Sequence, residues 1–133
     1  IRRQRQMCIR DSSKEGLLKP IKGKKYSKDH ILQMLLIYSL KNTISIQEIK
    51  KVLQPYHDQT EKIEPIYNEF LNTKKELSHY VTSSMQKFIE EKNLDLNNPD
   101  QLTMLLLFIC ALSNQYKMLA EKILDTFYPD EKE

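Results

Sequence analysis

The chain has 133 residues, 40% of them apolar and 29% charged, a length that suits one domain burying roughly two-thirds of its unfolded surface without a covalent staple. With 2 Gly, 5 Pro and 2 Cys it is neither collagen-like nor a secreted disulfide scaffold, so a reducing, cytoplasmic setting is expected. The formal net charge of +3 divides into +9 over residues 1–54 and −6 over residues 55–133, a basic front followed by an acidic back.

Residues 1–13, IRRQRQMCIRDSS, show no clean period. The run Arg2–Ser12 resembles a translated sequencing-adapter read of the kind found at broken ends of open reading frames. Residues 1–13 are therefore expected to be non-native or without fixed structure. Without them residues 14–54 still carry +6. Gly16 can supply the left-handed residue that stops a helix ending at Ser13–Glu15. Lys19–Lys25 holds Pro20 and Gly23, which exclude a helix interior and leave a basic loop or short hairpin.

Ser27 is a good N-cap, and Asp29 suits a first helical turn. Ile31, Leu32, Met34, Leu35, Leu36, Ile37, Tyr38 and Leu40 populate nearly every face of the helix that follows. That pattern predicts a central, buried helix ending near Lys41–Asn42. Ser45 and Glu48 have the spacing of a capping box, ahead of a stripe of Ile46, Ile49, Val52 and Leu53. Pro55 ends that helix. A long helix is expected from about Glu64, with a stripe running Ile66, Phe70, Leu77, Val81, Met85, Phe88. Asn93–Asn98 is a polar connection. Asn98-Pro99-Asp100 then opens the last helix in the order cap, proline, acid. Its stripe runs from Leu102 to Phe127. Its apolar core, Leu102–Leu112, is interrupted by Thr103, and no run reaches the roughly 18 apolar residues that cross a bilayer, so no membrane partner is expected.

Catalytic and metal chemistry find little support. His30, His57 and His79 stand at no ligand spacing, and no Cys-x-x-Cys pair exists, so neither a metal nor another cofactor is expected. Cys110, within an apolar run, reads as a buried inert thiol. His57-Asp58 reads as a solvated loop pair and Glu90-Glu91 as a solvated helix end. Two glycines cannot build a phosphate-cradling loop here. The chain is not expected to be an enzyme.

Lys19–Lys28 is the stronger lead. Five of its ten residues are Lys, with Tyr26 among them, between Pro20 and the Ser27 cap. Such a loop meets phosphates by charge and by counterion release, without choosing a sequence. A hydrated loop that binds nothing has the same composition.

The order Gly16-Leu17-Leu18-x-Pro20, a basic loop closing on Lys25-Tyr26-Ser27, an apolar helix, then Ser45-Ile46-Gln47-Glu48-Ile49 resembles the MerR-type winged helix-turn-helix. A closer resemblance is to a family of uncharacterised bacterial proteins, domain of unknown function eighteen thirty-six. It is expected over about residues 14–127. The resemblance implies a DNA-binding regulator. Lys22, Lys24, Lys25 and Tyr26 would form its wing, with Lys19 and Lys28 beside them, all on the phosphate backbone of duplex DNA. The family's reading helix would precede Gly16, where only Ser13–Glu15 stand in its place. The expected fold is all-α. A winged-helix remnant (residues 14–54, with a short wing hairpin allowed) packs in one compact unit with a helical pair (within 55–133). The stripes of that pair are explained by an intramolecular core, and a homodimer through the same helices is the alternative. The rival reading is a helical protein-interaction or dimerisation module with no nucleic-acid role.

Overall fold

A computed structural model describes residues 27–130, and the fold there is all-α. The elements in chain order are α1 (Lys28–Leu40), α2 (Ile46–Leu53), two short 3-10 turns (Gln54–His57 and Thr60–Lys62), α3 (Ile63–Glu91) and α4 (Pro99–Phe127). The expected segment 1–13, the wing hairpin and Lys19, Lys22, Lys24, Lys25 and Tyr26 lie outside the described residues.

Helix boundaries follow local chemistry. Ser27, in extended conformation, caps α1 by accepting the His30 backbone N–H at 3.3 Å. At α2 the capping box is complete: Ser45 Oγ accepts from the Glu48 N–H (3.1 Å), and Glu48 Oε1 accepts from the Ser45 N–H (2.9 Å). Pro55 cannot extend α2, and the chain passes into the first 3-10 turn. Helix α3 stops on Asn93, whose φ of 51° is left-handed. There the Leu94 N–H reaches the Ile89 carbonyl (3.0 Å) and the Asn93 N–H reaches that of Glu90 (3.1 Å). This is a Schellman ending, with Asn in place of the usual Gly. Asn98 Oδ1 then accepts the Asp100 N–H (3.0 Å) and opens α4, with Pro99 as the first helical residue.

Two units divide the chain. The described part of the first comprises residues 27–69 and 121–130, and the second is Phe70–Ala120. The first unit holds the core. Ile37, Ile49 and Leu53 are buried together, with Met34, Leu36, Leu40, Ile44 and Val52 packed on them. Ile63 and Leu124 are buried in the same unit. Full burial of such side chains stabilises by roughly 1.5–3 kcal/mol each. In the second unit no large apolar side chain among the described residues is buried. Its clearest internal packing is Phe88 stacked on Phe108, with centroids 3.8 Å apart and planes inclined by 5°.

Two expectations are corrected, and a third observation bears on membranes. Helix α1 is not buried all round: Ile31, Leu35 and Tyr38 are exposed, whereas the polar His30 and Gln33 are buried. Only the face bearing Gln33 and Ile37 meets the rest of the unit, so apolar content does not by itself decide which side is covered. Cys110 is exposed, not buried, because it lies off the α4 face that carries Leu105, Phe108 and Leu112 toward partial burial. Finally, α4 is long and apolar enough to cross a membrane: it runs 29 residues unbroken, and an 18-residue window in it has mean hydropathy 1.4. Its interruptions are mostly uncharged, and Thr103 turns its hydroxyl onto the Pro99 carbonyl (2.9 Å). Length and composition alone do not separate a span from a core helix.

Candidate functional site

Of the six residues expected to hold phosphate, Lys28 is the one within the described region. It is the first residue of α1, directly after the Ser27 cap. Its Nζ donates to Glu64 Oε1 at 2.7 Å, and both side chains remain largely in solvent. An exposed pair of this kind is worth about 0–1 kcal/mol, so it tethers Lys28 weakly and leaves its charge accessible. The helix start itself is firmer. Ser27 Oγ lies 2.6 Å from His30 Nδ1 while also accepting the His30 backbone N–H. Because His30 is buried, the point where the lysine-rich segment joins α1 is fixed to the first unit.

Two other lysines of this unit show how part of its charge is arranged. Lys51, on α2, forms an ion pair with Asp130. The Lys41 ammonium lies 5.0 Å from the centroid of the Tyr38 ring, within cation–π range. Glu64 and Asp130 both come from the acidic back of the sequence, and Lys28 and Lys51 from its basic front. The two halves therefore meet as partners inside one unit. Charge counts along the sequence do not reveal these pairs, because they depend on tertiary contacts.

The second unit has surface features of its own. On α3, Phe70, Leu77 and Tyr80 line an apolar groove of about 340 Å³ together with Thr73, Lys74 and Glu76. The Tyr116 hydroxyl of α4 bonds to that of Tyr80, and this bond holds the Tyr116 proton above its ordinary range. Both tyrosines are well exposed, as are Leu102, Met104, Leu106 and Leu107. The available signal was composition: an 11-residue run with one polar residue cannot turn every apolar side chain toward a single partner helix. His79, on α3, is exposed.

No curated protein and no solved structure matches the chain. The family model described as Domain of unknown function (DUF1836) matches residues 4–73. The match includes both motifs that carried the resemblance, Gly16–Ser27 and Ser45–Leu53, and it begins inside the segment 1–13. It ends in the first half of α3, short of the expected residue 127, so the rest of α3 and all of α4 lie beyond it. Spanning just over half of the sequence, this match makes the chain a member of the DUF1836 family.

Proposed function

We propose that the chain is part of a cytoplasmic, MerR-like DNA-binding regulator whose lysine-rich segment docks on the phosphate backbone of duplex DNA. The observation that carries the reading is the junction at Ser27. Five lysines in ten residues run into a helix whose start is fixed by the Ser27–His30 hydrogen bonds. Charge joined to a fixed helix start binds a polyanion at a smaller entropic cost than charge on a chain free at both ends. Lys19, Lys22, Lys24, Lys25, Tyr26 and Lys28 are the proposed phosphate-binding residues. They position the protein, and base selection falls to other residues.

The test is titration with duplex DNA at two salt concentrations. Binding should weaken steeply as salt rises. Changing Lys24 and Lys25 to Ala should reduce the slope of log K against log salt by about one for each phosphate left unneutralised. Absent or salt-independent binding overturns the reading.

A second reading has its own observation. Fourteen of the 21 exposed large apolar side chains belong to the second unit. Surface of that kind marks an interaction site. On this reading the helical pair is a protein-interaction or self-association module, and the lysines only solubilise the front.

A further inference from the structure

Between Asp100 and Lys117, α4 carries no charged residue. From Leu102 to Leu112 its one polar side chain is Thr103, bonded to its own helix. A helix apolar on every side requires cover on every side. Within the second unit, Leu105, Phe108 and Leu112 are partly buried, while Leu106 is 61% and Leu107 67% exposed.

We infer that a second copy of this chain covers the remaining surface, by antiparallel pairing of α4 with its counterpart about a two-fold axis near Ile109. The inference names the partner for the second reading above and does not depend on DNA binding. Three features argue for a second copy. The first is area. A large apolar side chain with half its surface exposed offers about 80 Å², so the eight that α4 contributes to the second unit supply roughly 640 Å², most of the roughly 800 Å² that each partner gives to a standard interface. The second is spacing. Leu102, Leu106, Ile109, Ser113 and Tyr116 follow the alternating four-three interval of a helix–helix seam. An axis at Ile109 sets Ile109 against its own counterpart and Leu102 against Tyr116. The third is charge. The same antiparallel register brings Asp100 of each copy beside Lys117 of the other. A parallel pairing would place Asp100 by Asp100 and Lys117 by Lys117. The surface is self-complementary in the sense that a closed two-fold dimer requires.

The test is the mass of the full chain in aqueous buffer by sedimentation velocity. About twice 15.8 kDa is expected at micromolar concentration. Leu106→Glu with Leu107→Glu should return the chain to a monomer with unchanged helical circular dichroism. Should that variant fail to fold, the surface charges decide. Asp100→Lys alone and Lys117→Asp alone should each weaken dimerisation several-fold, and the double exchange should restore it. A monomer at high micromolar concentration overturns the inference. So does a monomer that floats with phosphatidylcholine–phosphatidylglycerol vesicles, which would assign the surface to lipid. A dimer whose double exchange gives no recovery overturns the antiparallel arrangement.

Discussion

The two units use similar side chains to opposite ends. In the first, short helices α1 and α2 bring Ile37, Ile49 and Leu53 into a small core from which water is excluded. In the second, 29-residue helices contribute stretches rich in Leu, Met and Tyr, and most of those side chains still meet solvent. Burial, not apolar content, is what stabilises a fold, so intrinsic stability should reside in the first unit. The second unit's apolar surface is then available for association, which stabilises only as the partner's concentration rises.

The most severe way to break this contrast is to truncate one residue in each unit. Ile49 is fully buried, and Ile49→Ala should lower unfolding free energy by about 2–5 kcal/mol, through forfeited transfer energy plus a cavity. Leu107 is 67% exposed, so Leu107→Ala should change the stability of the isolated chain by about 0.5 kcal/mol or less. Urea denaturation at low protein concentration measures both. Equal losses at the two positions would mean that the second unit is as well packed as the first.

Helix ends provide the next test. Ser45 and Glu48 satisfy each other's backbone donors in the first unit, and Ser45→Ala should cost about 1 kcal/mol. In the second unit Asn93 occupies a left-handed position that a Cβ-bearing residue tolerates poorly. Asn93→Ala should cost about 1–2 kcal/mol, and Asn93→Gly should be neutral or stabilising. Thermal melts of the three variants would show whether the turn after α3 is as firmly set as the cap of α2.

These local signals were the legible part of the sequence. Ser27, the Ser45–Glu48 box and Asn98-Pro99-Asp100 each act within three or four residues, so their spacing alone reports the structure. Coverage was not legible. Gln33 looked like an interruption in an apolar helix, yet it is among the most buried side chains, while Ile31 and Tyr38 are exposed. Which face of α1 is covered depends on where α2 and the later helices dock, and no local period encodes that. Cys110 failed for the same reason. Of the candidate phosphate-binding residues, Lys28 was placed correctly at a helix start, but its partner Glu64 lies 36 residues away and could not be read from spacing.

A smaller effect sharpens the view of the first unit's charges. Glu64→Gln removes the acceptor of Lys28 and should change stability by less than about 1 kcal/mol, because both groups are solvated. Under the DNA-binding reading the same substitution frees one ammonium beside the lysine-rich segment. Affinity for duplex DNA should then rise modestly at low salt and not at high salt. Unchanged affinity at both salt concentrations would remove Lys28 from the phosphate-binding residues.

The smallest effect concerns the second unit, where the Tyr80 hydroxyl raises the proton affinity of Tyr116 by hydrogen bonding and, secondarily, by charge repulsion. The folded chain holds this proton more tightly than the unfolded chain, whose phenol titrates near 10.0. Any stability the pair adds is therefore complete below that pH and is lost as pH rises through the higher folded value. Tyr80→Phe removes both causes, so Tyr116 should ionise earlier in the folded protein. Ultraviolet titration of phenolate, taken as the difference between Tyr80→Phe and Tyr80→Phe with Tyr116→Phe, isolates that single group from the other tyrosines. If Tyr116 also sits against Leu102 of a second copy, dilution through the dimer–monomer transition should let it ionise at a still lower pH. A titration curve that ignores both the Tyr80 substitution and dilution would place Tyr116 in open solvent, with neither the α3 tyrosine nor a partner helix beside it.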